Sequence, residues 1–71
     1  MKNKRSGVIN TIEVTKLNGS PILINADLIE TVEETPDTVI SFTNGKKIIV
    51  KERRQEVKNL VKSYKRDIYA N

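Results

Sequence analysis

Residues 38–52 read TVISFTNGKKIIVKE, and this stretch decides the fold of the 71-residue chain. Two runs rich in β-branched residues flank Asn44-Gly45. An Asn-Gly pair is a strong short-range signal for a β-hairpin, because both residues tolerate the positive φ angles of a type I′ turn. The pattern therefore predicts a hairpin with a two-residue loop at Asn44-Gly45.

The faces of this hairpin follow from the predicted loop. Ile40 then lies opposite Ile49, and Val39 lies opposite Val50, so apolar side chains occupy both faces. A sheet with one solvated face shows polar residues at alternate positions, so we expect this hairpin to be covered on both sides. We expect the C-terminal helix to cover one side, and a curled sheet, a tight barrel or a second copy of the chain to cover the other. The hairpin is therefore also a candidate surface for a homo-oligomer.

A second hairpin is predicted upstream. Residues 12–17 (IEVTKL) alternate apolar and polar side chains, the period of a half-buried strand. Asn18-Gly19 favours a tight type I′ turn, and residues 21–25 (PILIN) return as the next strand. Pro21 lacks a backbone donor and suits the start of an edge strand.

Residues 28–34 connect the two hairpins. We assign them to a strand that follows a short turn at residues 25–27, although the spacing of apolar residues there also fits a helix. Pro36 and Asp37 then favour a turn, because proline presets φ and aspartate bonds to nearby backbone. The sequence thus predicts about five antiparallel strands over residues 12–50.

The periodicity changes after Glu52. Apolar residues recur at helical spacing and occupy one face, namely Val57, Leu60, Val61, Tyr64 and Ile68. This pattern predicts one C-terminal amphipathic helix over about residues 52–69. The predicted fold class is α+β, with a small antiparallel sheet of two hairpins followed by the helix. We expect a single domain over residues 12–71, preceded by a flexible leader or extension, residues 1–11.

The net charge of +4 is unevenly distributed. Residues 1–11 carry three cations and no acid, residues 12–50 carry three cations and six acids, and residues 51–71 carry seven cations and three acids. The predicted sheet is therefore acidic and the predicted helix is basic. Two interpretations stay open: the charges pair within the molecule, or the basic surface binds a partner.

The predicted helix carries a row of cations at every fourth position. Like charges at this spacing cost a few tenths of a kcal/mol per pair, so helix propensity does not explain them. The candidate partner-binding residues are Lys51, Arg54, Lys58, Lys62, Lys65 and Arg66. The row is interpreted as a solvated face, as a docking surface for an acidic protein, or as a contact for nucleic acid.

Enzyme chemistry is not expected. The chain has no histidine and no cysteine, so the usual general base, thiolate nucleophile and nitrogen metal ligand are missing. Glu33 and Glu34 are neighbours, and on a strand they point to opposite faces. We therefore expect neither a catalytic site, nor a cofactor, nor a metal. No apolar run approaches the length of a membrane span, and the lack of cysteine fits a reducing cytoplasm.

The order of several short motifs resembles the FlbD family of small flagellar proteins, to which the swarming motility protein SwrD belongs. The motifs lie within residues 12–69: Val14-Thr15, Leu17-Asn18-Gly19, Asn25-Ala26-Asp27-Leu28-Ile29-Glu30, Thr35-Pro36-Asp37-Thr38-Val39-Ile40, Thr43-Asn44-Gly45-Lys46-Lys47 and Val50-Lys51-Glu52. The resemblance implies a cytoplasmic, non-enzymatic motility protein that raises flagellar motor power, through motor or stator components as protein partners. Family members typically begin near Ile12, so residues 1–11 depart from the pattern.

A second function is a β-rich nucleic-acid-binding regulator of motility genes. Strands ending in TNGKKIIVKE before a helix are similar to the DNA-binding modules of response regulators. The acidic sheet and the small number of aromatic residues argue against it, because nucleic-acid binders show a clustered basic footprint. Nucleic-acid binding is therefore not expected. Membrane insertion is not expected either, because no apolar run approaches the length of a membrane span.

Overall fold

The computed structural model describes residues 10–69, with the backbone alone for residues 66–69. Its elements are β1 (Thr11–Thr15), β2 (Pro21–Asn25), a 3₁₀ turn (Ala26–Leu28), β3 (Ile29–Glu34), β4 (Thr38–Phe42), β5 (Lys47–Val50) and α1 (Arg54–Tyr69). The predicted α+β class is confirmed. Thr11 already belongs to β1, and residues 1–9 of the predicted leader lie outside the described residues.

The strands form two antiparallel sheets. One contains β1 and β2, and the other has the order β3-β4-β5. A single bridge between Lys16 and Val50 connects them, and the Lys51 N–H donates to the Thr15 carbonyl at 2.8 Å. The predicted single sheet is thus two small sheets that meet where β1 approaches β5.

The loop between β4 and β5 has three residues, so the prediction of a two-residue type I′ turn is wrong. Phe42 and Lys46 close the loop through the Phe42 N–H and the Lys46 carbonyl at 2.8 Å. The Gly45 N–H donates to the Phe42 carbonyl at 2.9 Å, and Gly45 has a φ of 89°. Asn44 keeps a negative φ, and its Oδ1 accepts from the Lys46 N–H at 3.0 Å. These bonds define a type I turn followed by a glycine bulge.

The upstream hairpin repeats this loop, so the type I′ turn predicted at Asn18-Gly19 is wrong as well. The Gly19 N–H donates to the Lys16 carbonyl at 2.9 Å, and Gly19 has a φ of 94°. Asn18 Oδ1 accepts from the Ser20 N–H at 2.9 Å. The turn predicted at Pro36-Asp37 connects β3 to β4, and its Thr35-Pro36 peptide is cis.

The longer loop shifts the register of the β4–β5 hairpin by one residue. Ile40 pairs with Ile48, and Val39 pairs with Ile49. Ile40 lies in the core with no exposed surface, whereas Ile49 is 42% exposed on the other face. Within the chain, one face of the hairpin is therefore uncovered, because the shift moves Ile49 to the solvent side. Cover of that face by a second copy of the chain stays a prediction.

One hydrophobic core lies between the sheets and α1. The strands supply its largest fully buried side chains, Val14 and Ile40, and the helix supplies Val57. The buried hydrophobic residues are Ile12, Val14, Ile24, Ala26, Ile40, Val50 and Val57, and the partly buried Leu60, Val61 and Tyr64 pack against them. The predicted apolar stripe of the helix is confirmed as far as Tyr64, and the side chain of Ile68 lies outside the described residues.

A valine at Gly45 is expected to destabilise the protein by about 1–3 kcal/mol, because a β-branched residue resists a φ of 89°. An added Cβ meets no atom within 4 Å, so the backbone alone causes the loss. The control is Thr43→Val, which places the same side chain in the same loop at a residue without positive φ. Thermal unfolding of both variants tests this, and equal melting temperatures for Gly45→Val and the unmodified protein would contradict the turn geometry.

Candidate partner-binding groove

A groove of about 370 Å³ lies between β3 and α1. Val32 of β3 and Val57 and Val61 of α1 line its floor. Val57 is fully buried, and the other two are half-buried. The groove therefore presents an apolar strip that the sheet and the helix share.

Cations line the helical side of the groove. They are Arg54, Lys58, Lys62 and Lys65, and all four side chains are exposed. The first three follow at intervals of four residues, which corresponds to about 6 Å along a helix. An apolar floor beside a regular row of positive charge can bind a surface that is apolar in the middle and acidic at its border.

The groove brings together four of the six residues predicted to bind a partner. Lys51 does not line this groove but lines a separate cleft with Leu17 and Asp37, so its part in partner binding stays a prediction. Arg66 belongs to α1, but its side chain lies outside the described residues.

Pairing within the molecule involves a different cation. The Arg53 Nε atom lies 2.6 Å from Glu34 Oε2, in an ion pair between the start of α1 and the end of β3. Lys58, Lys62 and Lys65 make no ion pair with any residue whose side chain the structure describes. The charges of these three lysines are therefore not neutralised by a described side chain and are available to bind a partner.

Glu34 also fixes where the helix begins. Its Oε1 accepts from the Arg54 N–H at 2.9 Å, and Glu56 Oε1 accepts from the Arg53 N–H at 2.7 Å. Both carboxylates thus satisfy N–H groups that a helix start leaves without partners. The hydrogen bond from the Arg54 backbone, followed by that from the Arg53 side chain, holds the pKa of the Glu34 carboxyl below its ordinary value.

Two further contacts hold α1 and the preceding link against the sheets. Glu52 accepts from both the N–H and the hydroxyl of Thr15, each at 2.8 Å. Burial alone would raise the pKa of the Glu52 carboxyl, but the hydrogen bonds from Thr15 outweigh it and leave that pKa lowered. Further along the helix, the Tyr64 hydroxyl donates to Asp27 at 3.0 Å. These contacts therefore hold α1 against the sheets before its first residue and near Tyr64.

Glu34→Gln is expected to lower the melting temperature at neutral pH, with a difference that disappears in acid. The lowered pKa means that the unfolded chain binds the proton more readily, so this contribution to stability is complete above the ordinary carboxyl pKa of about 4.3. It is lost as the pH falls through the lower pKa of the folded state. The control is Glu33→Gln, on the opposite face of β3. Melting curves between pH 7 and pH 2 test this, and a pH-independent difference would contradict the role of the charge.

Sequence reasoning missed two residues of this region. Val32 was assigned correctly to a strand, but nothing local indicated that it faces the helix. No local pattern indicates that Glu34 contacts the helix start, because its partners Arg53 and Arg54 lie about twenty positions away. The spacing Arg53 to Glu56 resembles a capping box without its serine or threonine, and it was the one local signal for the helix start.

Neither a metal-binding cluster nor a membrane-spanning helix occurs among the described residues. Residues 10–65 contain no group of three or more acidic, histidine or cysteine side chains that could hold a metal ion. In the same part of the chain, α1 is neither long enough nor apolar enough to cross a membrane.

The chain matches the model of the FlbD family, described as flagellar and swarming motility proteins, over residues 11–69. Because this match covers most of the 71 residues, the chain belongs to the FlbD family, and its role lies in flagellar and swarming motility. No significant match is found among the curated proteins or the solved structures.

Proposed function

We propose that the protein is a cytoplasmic, non-enzymatic accessory factor that supports flagellar motor power by binding an acidic protein surface of the motor or its stators. The observation that carries this proposal is the groove between β3 and α1, in which Lys58, Lys62 and Lys65 remain unpaired with described residues beside the apolar Val32 and Val61. The family match supports a role in motility, and the charge and apolar floor of the groove support recognition of an acidic protein surface.

The use of the carboxylates supports a binding role over catalysis. The chain has no histidine or cysteine, so its carboxylates are among the main groups that could serve an acid–base site. Glu34 and Glu52 have lowered pKa values and hold the helix against the sheets. A carboxylate that stays ionised and accepts structural hydrogen bonds is poorly suited to carry protons.

The groove floor supports a protein partner over nucleic acid. Lysines and arginines alone can contact phosphates, and such binding needs no apolar surface. Here the cations border Val32 and Val61, which are half-buried side chains of the groove. Interfaces between proteins combine an apolar centre with a polar rim, which is the arrangement found here.

The test is co-purification of motor components with the intact tagged chain from motile cells. The variant Lys58→Glu/Lys62→Glu is compared with Lys46→Glu/Lys47→Glu, which changes the net charge equally at exposed residues outside the groove. We expect the unmodified chain and the second variant to retain stator or rotor proteins, and the first variant to lose them. Equal recovery with both variants would overturn the proposal. Salt-sensitive retention of arbitrary duplex DNA by the unmodified chain would support the nucleic-acid function instead.

A further inference from the structure

We infer that the groove binds an acidic amphipathic helix of the partner protein, laid along α1. This inference rests on the proposed function and specifies the chemistry and shape of the bound segment. Its apolar side would contact Val32 and Val61, and its carboxylates would lie beside Arg54, Lys58 and Lys62.

Charge complementarity selects an acidic segment. Four exposed cations line the groove, and those of Lys58, Lys62 and Lys65 have no acidic partner among the described side chains. The chain's own N-terminal segment is a poor occupant, because residues 1–11 carry three cations and no acid. Like charges across an interface weaken binding, whereas a carboxylate opposite each cation strengthens it.

The sheet side of the groove argues against an added β-strand. β3 is an edge strand of its sheet, and Glu30 and Glu33 are exposed along it. Its pairing with β4 is irregular between Ile29 and Thr31. Charged side chains and bulges are features that prevent strand addition at an edge. An acidic strand paired with β3 would also bring its carboxylates close to those of Glu30 and Glu33.

A helix matches the periodicity of the groove. Arg54, Lys58 and Lys62 repeat about every 6 Å, which is close to one turn of a partner helix lying alongside α1. Acidic residues four apart on that helix would each meet one cation. Apolar residues at positions i, i+3, i+4 and i+7 would meet the floor, as in other helix-in-groove complexes.

The test uses a labelled synthetic peptide of about five helical turns, with leucines on one face and glutamates along both borders. A scrambled peptide of the same composition keeps the charge and loses the apolar face. Fluorescence anisotropy measures binding to the full chain. We expect the scrambled peptide to bind at least about tenfold more weakly, because it cannot place leucines on the floor of the groove.

Three variants separate charge from shape. Lys58→Glu/Lys62→Glu should weaken peptide binding by about tenfold or more, and Lys46→Glu/Lys47→Glu by less than about twofold. Val61→Thr keeps the shape and charge of the groove and makes its floor more polar. It should weaken binding several-fold, an effect that simple ionic attraction does not predict.

The outcomes distinguish this inference from the proposed function. Equal binding of the two peptides, or equal loss in both double variants, would show attraction by net charge and overturn the inference. Absence of peptide binding, together with co-purification that still depends on Lys58 and Lys62, would reject the helical occupant and leave the proposed function standing. If the groove variants change only the oligomeric state of the chain, as measured by sedimentation, the occupant is a second copy and the inference fails.

Discussion

Replacement of Ile40 by alanine is expected to lower the free energy of unfolding by about 2–5 kcal/mol, the range for large-to-small changes in a core. Ile40 has no exposed surface and lies at the centre of the three-stranded sheet, between Val32 and Ile48. A domain of this size has a total stability of roughly 4–10 kcal/mol. The single change is therefore expected to remove about half of the stability, as measured by urea denaturation followed by circular dichroism.

The matched control is Ile49→Ala, which removes the same atoms from the same hairpin. Ile49 is 42% exposed and pairs with Val39 on the other face, so its truncation should cost less than about 1 kcal/mol. Similar losses at Ile40 and Ile49 would be inconsistent with the one-sided hairpin. They would indicate that a second copy of the chain covers the outer face in solution, which concentration-dependent unfolding would reveal.

The elements were predictable because each has its own periodicity. Alternating apolar residues marked the strands, and the 3.6-residue period from Val57 onward marked the helix. The register was not predictable from the Asn44-Gly45 pair, because asparagine and glycine suit both a type I′ loop and the last two positions of a type I turn with a glycine bulge. The loops differ by one residue, and that difference decides which face Ile49 occupies.

The candidate site was only half predictable for a similar reason. The four-residue spacing of Arg54, Lys58 and Lys62 is local, so the cationic row was evident from the sequence. The floor depends on which strand packs beside the helix, and Val32 lies more than twenty positions from the row. Lys51 does not line the groove, because the helix begins at Arg54, after a link that Glu52 fixes to β1. The groove therefore depends on long-range packing, which places Val32 of the sheet beside the cationic row of the helix.

Reversal of two charges in the groove, Lys58→Glu/Lys62→Glu, is expected to abolish swarming while the chain remains folded. Both side chains are exposed, and exposed charges contribute little to stability. The introduced carboxylates lie one helical turn from Arg54 on one side and from Arg66 on the other, so they relieve repulsion within the row. The variant should therefore lose its function and keep its stability, with an unfolding midpoint at or above that of the unmodified protein.

The measurements are swarm expansion and the rotation of tethered cells, whose motors work under high load, in a strain that expresses each variant at equal level. If the protein supports motor power through the stators, rotation under load should fall with Lys58→Glu/Lys62→Glu and stay unchanged with Lys46→Glu/Lys47→Glu. The control matters because both double variants bring the net charge from +4 to zero, so a shared defect would come from charge alone. Normal swarming by the groove variant, with circular dichroism showing a folded chain, would indicate that the cationic row is a solvated face without a binding role. The functional surface would then have to lie on the outer face of the sheets, where Leu23 and Ile49 are exposed.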